Sequence, residues 1–137
     1  MTRIFYLSAF MLFLSLAGNA QTEKLLHQTI ELDSIDQIQL EIYGAYTVEY
    51  WAGNNILTET KVKLYDAPKH VLKFFVEEQM RYQIDALPTV PTLSLVSHVR
   101  ERKPISYKGT ECTEEVSLRI FIPDSFKPQS DTFLVRE

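Results

Sequence analysis

From Leu25 onward the chain alternates apolar and polar residues with period two, and this constrains its fold more than any other feature. Ile38, Leu40 and Ile42 alternate with Gln37, Gln39, Glu41 and Tyr43. Tyr46, Val48 and Tyr50 alternate with Thr47, Glu49 and Trp51. Ile56, Thr58, Thr60, Val62 and Leu64 alternate with Leu57, Glu59, Lys61, Lys63 and Tyr65. Val116, Leu118, Ile120 and Ile122 alternate with Ser117, Arg119 and Phe121. Successive side chains of a strand point to opposite faces, so each segment buries one face and wets the other. The predicted fold class is mainly β: about seven strands in a sandwich, roll or short solenoid, with one short α-helix.

Turn chemistry punctuates the strands. Asp33-Ser34 and Gly44-Ala45 separate the first three, and Ala52-Gly53-Asn54-Asn55 carries residues that tolerate positive φ. This predicts a hairpin of Tyr46–Trp51 with Ile56–Tyr65. Pro88 and Pro91 are expected to flank a loop before Leu93–Arg100. A second loop is expected between Lys103-Pro104 and Lys108-Gly109. Between the fourth strand and Pro88 the period changes. Val71, Leu72, Phe74, Phe75 and Val76 are spaced for a helix of about three turns, with Asp66 as its expected N-cap. Its charges oppose the helix dipole: Lys69 and His70 lie near the start, Glu77 and Glu78 near the end. Such a helix must dock its phenylalanines on the sheet or cap an open end of it. After Pro123 the tail is polar until Phe133-Leu134-Val135, which either adds a last strand or frays.

The chain opens Met1-Thr2-Arg3, then runs apolar from Ile4 to Ala17 and ends in Gly18-Asn19-Ala20 before Gln21. A basic start, a short apolar core and small residues at a cut predict a secretory signal peptide at 1–20. Fourteen apolar residues fall short of the roughly 20 that span a bilayer, although an uncleaved anchor is the rival reading. Without a cysteine at the cut there is no lipoprotein anchor. The expected product is exported, periplasmic or secreted, with a single β-rich domain at 21–137. Without Arg3 it carries 13 basic and 18 acidic residues, a net charge of −5, which argues against nucleic acid as a partner. Cys112 is the only cysteine, so no internal disulfide forms and the domain depends on packing.

The segment "IQLEIYGAYTVEYW" (Ile38–Trp51), the Gly53-Asn54 turn, "ILTETKVKL" and the closing "VSLRIFIPDSF" resemble small exported β-proteins of the Bacteroidota. These are similar to the GIN domain, the head domain of autotransporter-adhesin-like proteins. The likeness covers about 100 residues and rests on strand pattern. This chain departs from it in being short and in carrying a helix where a stack of strands would continue. The resemblance implies an exported β module and supplies no catalytic residues.

No catalytic, cofactor or metal site is expected. Cys112 lies among Glu111, Glu114 and Glu115, whose charge favours the neutral thiol; its readings are an unreactive strand or loop cysteine, or an intermolecular disulfide. His27, His70 and His98 lack metal-ligand spacing and read as surface residues. Glu77-Glu78 and Glu114-Glu115 are sequence neighbours that point apart, and so read as solvated charge rather than acid/base pairs. Pairing Leu95 with Leu118 would set Arg102 opposite Glu111 and Arg100 opposite Thr113. Tyr43, Trp51, Tyr65 and Phe121 fall on the wet phase and form the candidate interaction surface. The expected function is a non-enzymatic exported module acting by surface contact in the cell envelope, adhesion-like, with a protein or envelope component as partner. The alternative is a periplasmic small-ligand carrier or an inhibitor of an envelope enzyme, and an enzyme of any kind ranks third.

Overall fold

The computed structural model describes residues 21–137; the expected signal peptide lies outside the described residues. In chain order the elements are β1 (Gln21–Ile30), β2 (Gln37–Glu41), β3 (Thr47–Trp51), β4 (Ile56–Tyr65), helix α1 (Lys69–Lys73) continued by a π-helical turn (Phe74–Glu78), β5 (Ile84–Thr89), β6 (Thr92–Ser97), β7 (Ser106–Tyr107), β8 (Thr110–Glu111), β9 (Glu114–Pro123), β10 (Phe126–Pro128) and β11 (Phe133–Arg136). The fold is mainly β with one short helix after the fourth strand. Among the described residues eleven strands replace the expected seven, because several are only two to four residues long and too short to show a period.

Two sheets face each other. One has the order β1-β4-β9-β3, the other β10-β11-β2-β6-β5, and β7-β8 form a separate small hairpin. The alternation sets the buried faces. Ile56, Thr58, Thr60, Val62 and Leu64 of β4 are all buried, as are Ile38 and Leu40 of β2 and Leu118, Ile120 and Ile122 of β9. Ile30, Ile56, Leu118, Ile120 and Ile122 from the first sheet join Ile38, Leu40, Leu93, Leu95, Phe126 and Leu134 from the second in one core. The ten-residue strands β1, β4 and β9 overrun the second sheet, and their far ends need another cover. Helix α1 supplies it: Val71 and Leu72 join Val62, Leu64, Tyr82, Ile105 and Cys112 in a second core, with Phe75, Val76 and Val116 packed against it. The outer face of the first sheet is wet and paired by charge, with Arg119 at 2.7 Å from Glu49 and 3.6 Å from Glu59, and Lys61 at 3.2 Å from Glu23.

Four expectations are corrected. First, β3 and β4 run antiparallel but do not pair, because β9 lies between them, parallel to β3 (Val48↔Ile120) and antiparallel to β4 (Thr58↔Ile120). The Ala52–Asn55 turn therefore spans two strand spacings, about 10 Å. Trp51 holds it open: its Nε1 donates to Asn55 O at 2.9 Å, and Asp124 N donates to Trp51 O at 2.8 Å. Second, Leu95 pairs in-sheet with Leu40 and Ala86, and Leu118 with Thr60. The two leucines belong to opposite faces of one core, so Arg102 and Arg100 do not face Glu111 and Thr113; Glu111 pairs with Ser106 instead. Third, Pro88 lies inside β5 rather than in a loop. As β5 is an edge strand, the missing proline N–H costs no ladder bond there. Fourth, Asp66 does not cap the helix. It takes a positive φ of 63°, and Pro68 occupies the N-cap position with no side-chain cap bond.

Two further features follow from local chemistry. Lys108 and Gly109 both take positive φ, 49° and 77°, as a tight two-residue hairpin turn between β7 and β8 requires. The Phe133–Val135 segment is an ordered strand: β11 pairs with β2 and β10.

Gly53 is fixed by contact rather than by dihedral angle, because any β-carbon there would overlap the Trp51 ring. Gly53→Ala is expected to cost about 1–3 kcal/mol through overpacking. It should also shift the intrinsic fluorescence of the only tryptophan. Unchanged emission and an unchanged urea midpoint would show that the ring moves aside freely.

Candidate functional site

The four aromatics of the expected surface do not form one patch. Trp51 and Phe121 are diagonal neighbours on the outer face of the first sheet, since Phe121 pairs with Glu49 and Trp51 with Pro123. The Arg119 guanidinium lies 4.9 Å above the Phe121 ring. Tyr65 sits eight residues further along β4 than Leu57, the partner of Phe121, or roughly 26 Å away at about 3.3 Å per residue. Its hydroxyl donates to Glu115 Oε2 at 3.3 Å; burial, then the Glu115 carboxylate, push the phenol above its ordinary range. Tyr43 belongs to the other sheet, just past β2, where its backbone N–H donates to Ser97 Oγ at 2.8 Å.

The remaining sequence candidates are structural. Cys112 is a free cysteine buried in the second core. His70 packs edge-on against Tyr107, and His98 bonds Asp85 at 2.8 Å. A hydrogen bond from Gln83, opposed by some burial and aided by His98, holds the Asp85 carboxyl below the usual range. Among the described residues no group of three or more His, Cys, Asp or Glu is placed to hold a metal ion.

Tyr43 opens onto a different constellation. Glu114 begins β9 on the same phase as Val116, Leu118 and Ile120, so its carboxylate points inward, contrary to the expectation of solvated charge. Arg81, which follows the helical segment, is buried, with 7% of its side chain exposed. Its Nε and Nη2 donate to the two carboxylate oxygens of Glu114, both at 2.9 Å, and Nη2 also donates to Lys103 O at 2.8 Å. The Tyr82 hydroxyl donates a hydrogen bond to the same carboxylate. Arg102 completes the group. Its guanidinium carbon lies 5.2 Å from the ring centres of both Tyr43 and Tyr82, and its Nε donates to Arg81 O at 3.3 Å. A solvent-open cleft of about 360 Å³ lies against these groups, lined by Tyr43, Arg81, Arg102, Glu111, Cys112 and Glu114 among others.

The electrostatics divide the two arginines. Burial alone would raise the Glu114 carboxyl, but the hydrogen bonds from Arg81 and Tyr82 and the charges of both arginines outweigh it and hold it low. Burial opposes the charge on Arg81, yet Glu114 overrides it and the guanidinium is held above its ordinary value. Arg102 goes the other way: burial lowers it, Glu114 and Tyr82 only partly compensate, and Arg81 adds repulsion. Burial and the bond to Glu114 push the Tyr82 phenol far up, so it stays neutral and donates. The sequence signal for this site was the phase of Glu114. A carboxylate on the apolar face of a strand demands a buried partner. The identity of that partner, 33 residues away, is set by the loop packing. The chain matches no family model, no curated protein and no solved structure.

Proposed function

We propose that the protein is an exported, non-enzymatic β module that acts by surface contact in the cell envelope, in the manner of an adhesin. The observation that carries the reading is Tyr43, 40% exposed beside a cleft with its ring against the Arg102 guanidinium. Tyrosine and arginine are the residues that concentrate binding energy at protein contacts. Side chains already held by such a cation–π contact lose less conformational freedom on binding. The first twenty residues support export through their basic, apolar and small-residue order. The likeness to GIN-domain proteins agrees with an envelope role. A carrier with an internal cavity finds less support, because Ile38, Leu95, Ile56, Ile120 and Phe126 are all fully buried between the sheets.

The test is retention of the purified protein, residues 21–137, on envelope fractions of its own cells. Tyr43→Ala is expected to weaken retention about tenfold, with the circular dichroism spectrum unchanged. Retention equal to that of the wild type would remove Tyr43 from the contact surface and with it this reading. Mass spectrometry of the product from intact cells should find an N-terminus at Gln21. A full-length product in the cytosol would end the export reading.

A further inference from the structure

We infer that the cleft beside Tyr43 is a carboxylate-binding site whose ligand-facing group is the Arg102 guanidinium. The inference rests on the contact reading to the extent that it names the chemical group by which a partner is held.

Arg102 is half-buried, yet among the described residues it makes no ion pair. Both oxygens of the nearest buried carboxylate, Glu114, are taken by Arg81 and Tyr82. Only Nε of Arg102 is used internally, in the bond to Arg81 O. Its two terminal nitrogens donate to no acceptor among the described residues and remain for a ligand. The guanidinium lies within cation–π range of both Tyr43 and Tyr82, and these contacts with the Nε bond to Arg81 O orient its fork before anything binds. A cation partly removed from water without a partner is costly, and an anion in the cleft relieves that cost.

Fork geometry selects the anion, and the charge count weighs against a dianion. Glu114 neutralises Arg81, leaving one positive charge on Arg102, while the exposed Glu111 on the cleft wall brings one negative charge. A dianionic phosphate would meet too little positive charge. A planar monoanion matches one planar guanidinium through two parallel N–H···O bonds. Carboxylates fit this description, and the cleft, at about 360 Å³, is large enough for a small one.

The experiment is a titration of the ¹⁵N-labelled protein at low salt with acetate, propionate and inorganic phosphate, following the Nε–Hε signal of Arg102. Acetate or propionate should shift that signal saturably, with a dissociation constant of roughly 5 mM. Arg102→Lys keeps the charge and the stem but loses the fork, and is expected to weaken binding at least about fivefold, read on the amide signals of Tyr43 and Ser97. Glu111→Gln removes the opposing charge and should tighten binding about two- to threefold. Three results would overturn the site. They are no saturable shift up to about 50 mM carboxylate, phosphate binding tighter than either carboxylate, and equal binding by the Arg102→Lys variant. Envelope retention separates the two readings. If acetate binds the wild type but not Arg102→Lys, while neither protein is retained on the envelope, the site stands and the contact reading falls.

Discussion

Replacing Glu114 by Gln lowers the stability of the folded chain by about 3 kcal/mol at neutral pH. The substitution keeps the shape of the side chain but removes the charge that compensates a guanidinium buried to 93%. It also leaves the Tyr82 hydroxyl with a weaker acceptor. The pH dependence follows from the direction in which each group is shifted. Glu114 is held below its unfolded value, so its contribution is complete above about pH 4.3 and is lost as pH falls through the folded value. The gap between wild type and Glu114→Gln should therefore narrow on acidification. Tyr82 is shifted upward, so its contribution is complete below about pH 10 and is lost as pH rises towards the folded value. Urea unfolding of both proteins at pH 7 and pH 3 is the measurement. A neutral-pH difference below about 1 kcal/mol, or one that does not change with pH, would mean that the pair behaves as a solvated surface bridge.

That pair also shows where sequence reasoning stops. The period-two pattern identified the buried face of β4 at every position from Ile56 to Leu64, because burial of alternate side chains is a local property of a strand. It could not say which strand lies beside which. Leu95 and Leu118 both face the core, and an apolar residue reads the same whether its neighbour lies along the sheet or across the interior. The turn at Gly53 likewise predicted the reversal of the chain but not the insertion of β9 into the gap, because the partner comes from 60 residues further on. Among the aromatics, the wet phase named Tyr43, Trp51, Tyr65 and Phe121 one by one. Whether they adjoin depends on register and sheet membership, and only Trp51 and Phe121 do. Tyr50 shows the converse: it lies on the inward phase yet is 46% exposed, because the edge strand β3 carries it past the covering sheet.

The buried charge group has a structural logic that the second core explains. The far ends of β4 and β9 are covered by a helix and a loop rather than by a sheet, and these elements have few ladder bonds with which to fix their position. Arg81 links three of the pieces. It follows the helical segment directly, bonds Glu114 on β9, and donates to Lys103 O in the loop. A second clamp of the same kind joins the sheets, where the Gln28 side chain exchanges hydrogen bonds with both backbone groups of Ile84, at 2.9 and 3.0 Å. Arg102 donates only a backbone bond to this frame, so a ligand at its free edge need not disturb the fold.

Phe126→Ala is expected to destabilise the protein by about 3–5 kcal/mol, as large as any single side-chain truncation in this core. Phe126 stands in a polar stretch, Pro123-Asp124-Ser125-Phe126-Lys127-Pro128, that alone reads as a tail. In the fold it is wholly buried and belongs to the core between the sheets. Arg136, opposite it on β11, lays its guanidinium 4.7 Å from the ring centre and donates to Ile35 O at 2.8 Å. The β10–β11 hairpin is thus pinned through one aromatic side chain and Leu134, with Arg136 closing the edge. Phe126→Ala should therefore unfold at much lower urea with the slope of the transition unchanged, because the whole domain still melts as a unit. Arg136→Ala, which removes a half-exposed lid, should cost only about 1 kcal/mol. Equal and small effects from both would mean that the hairpin contributes little to the core and that β2 is the true edge of its sheet.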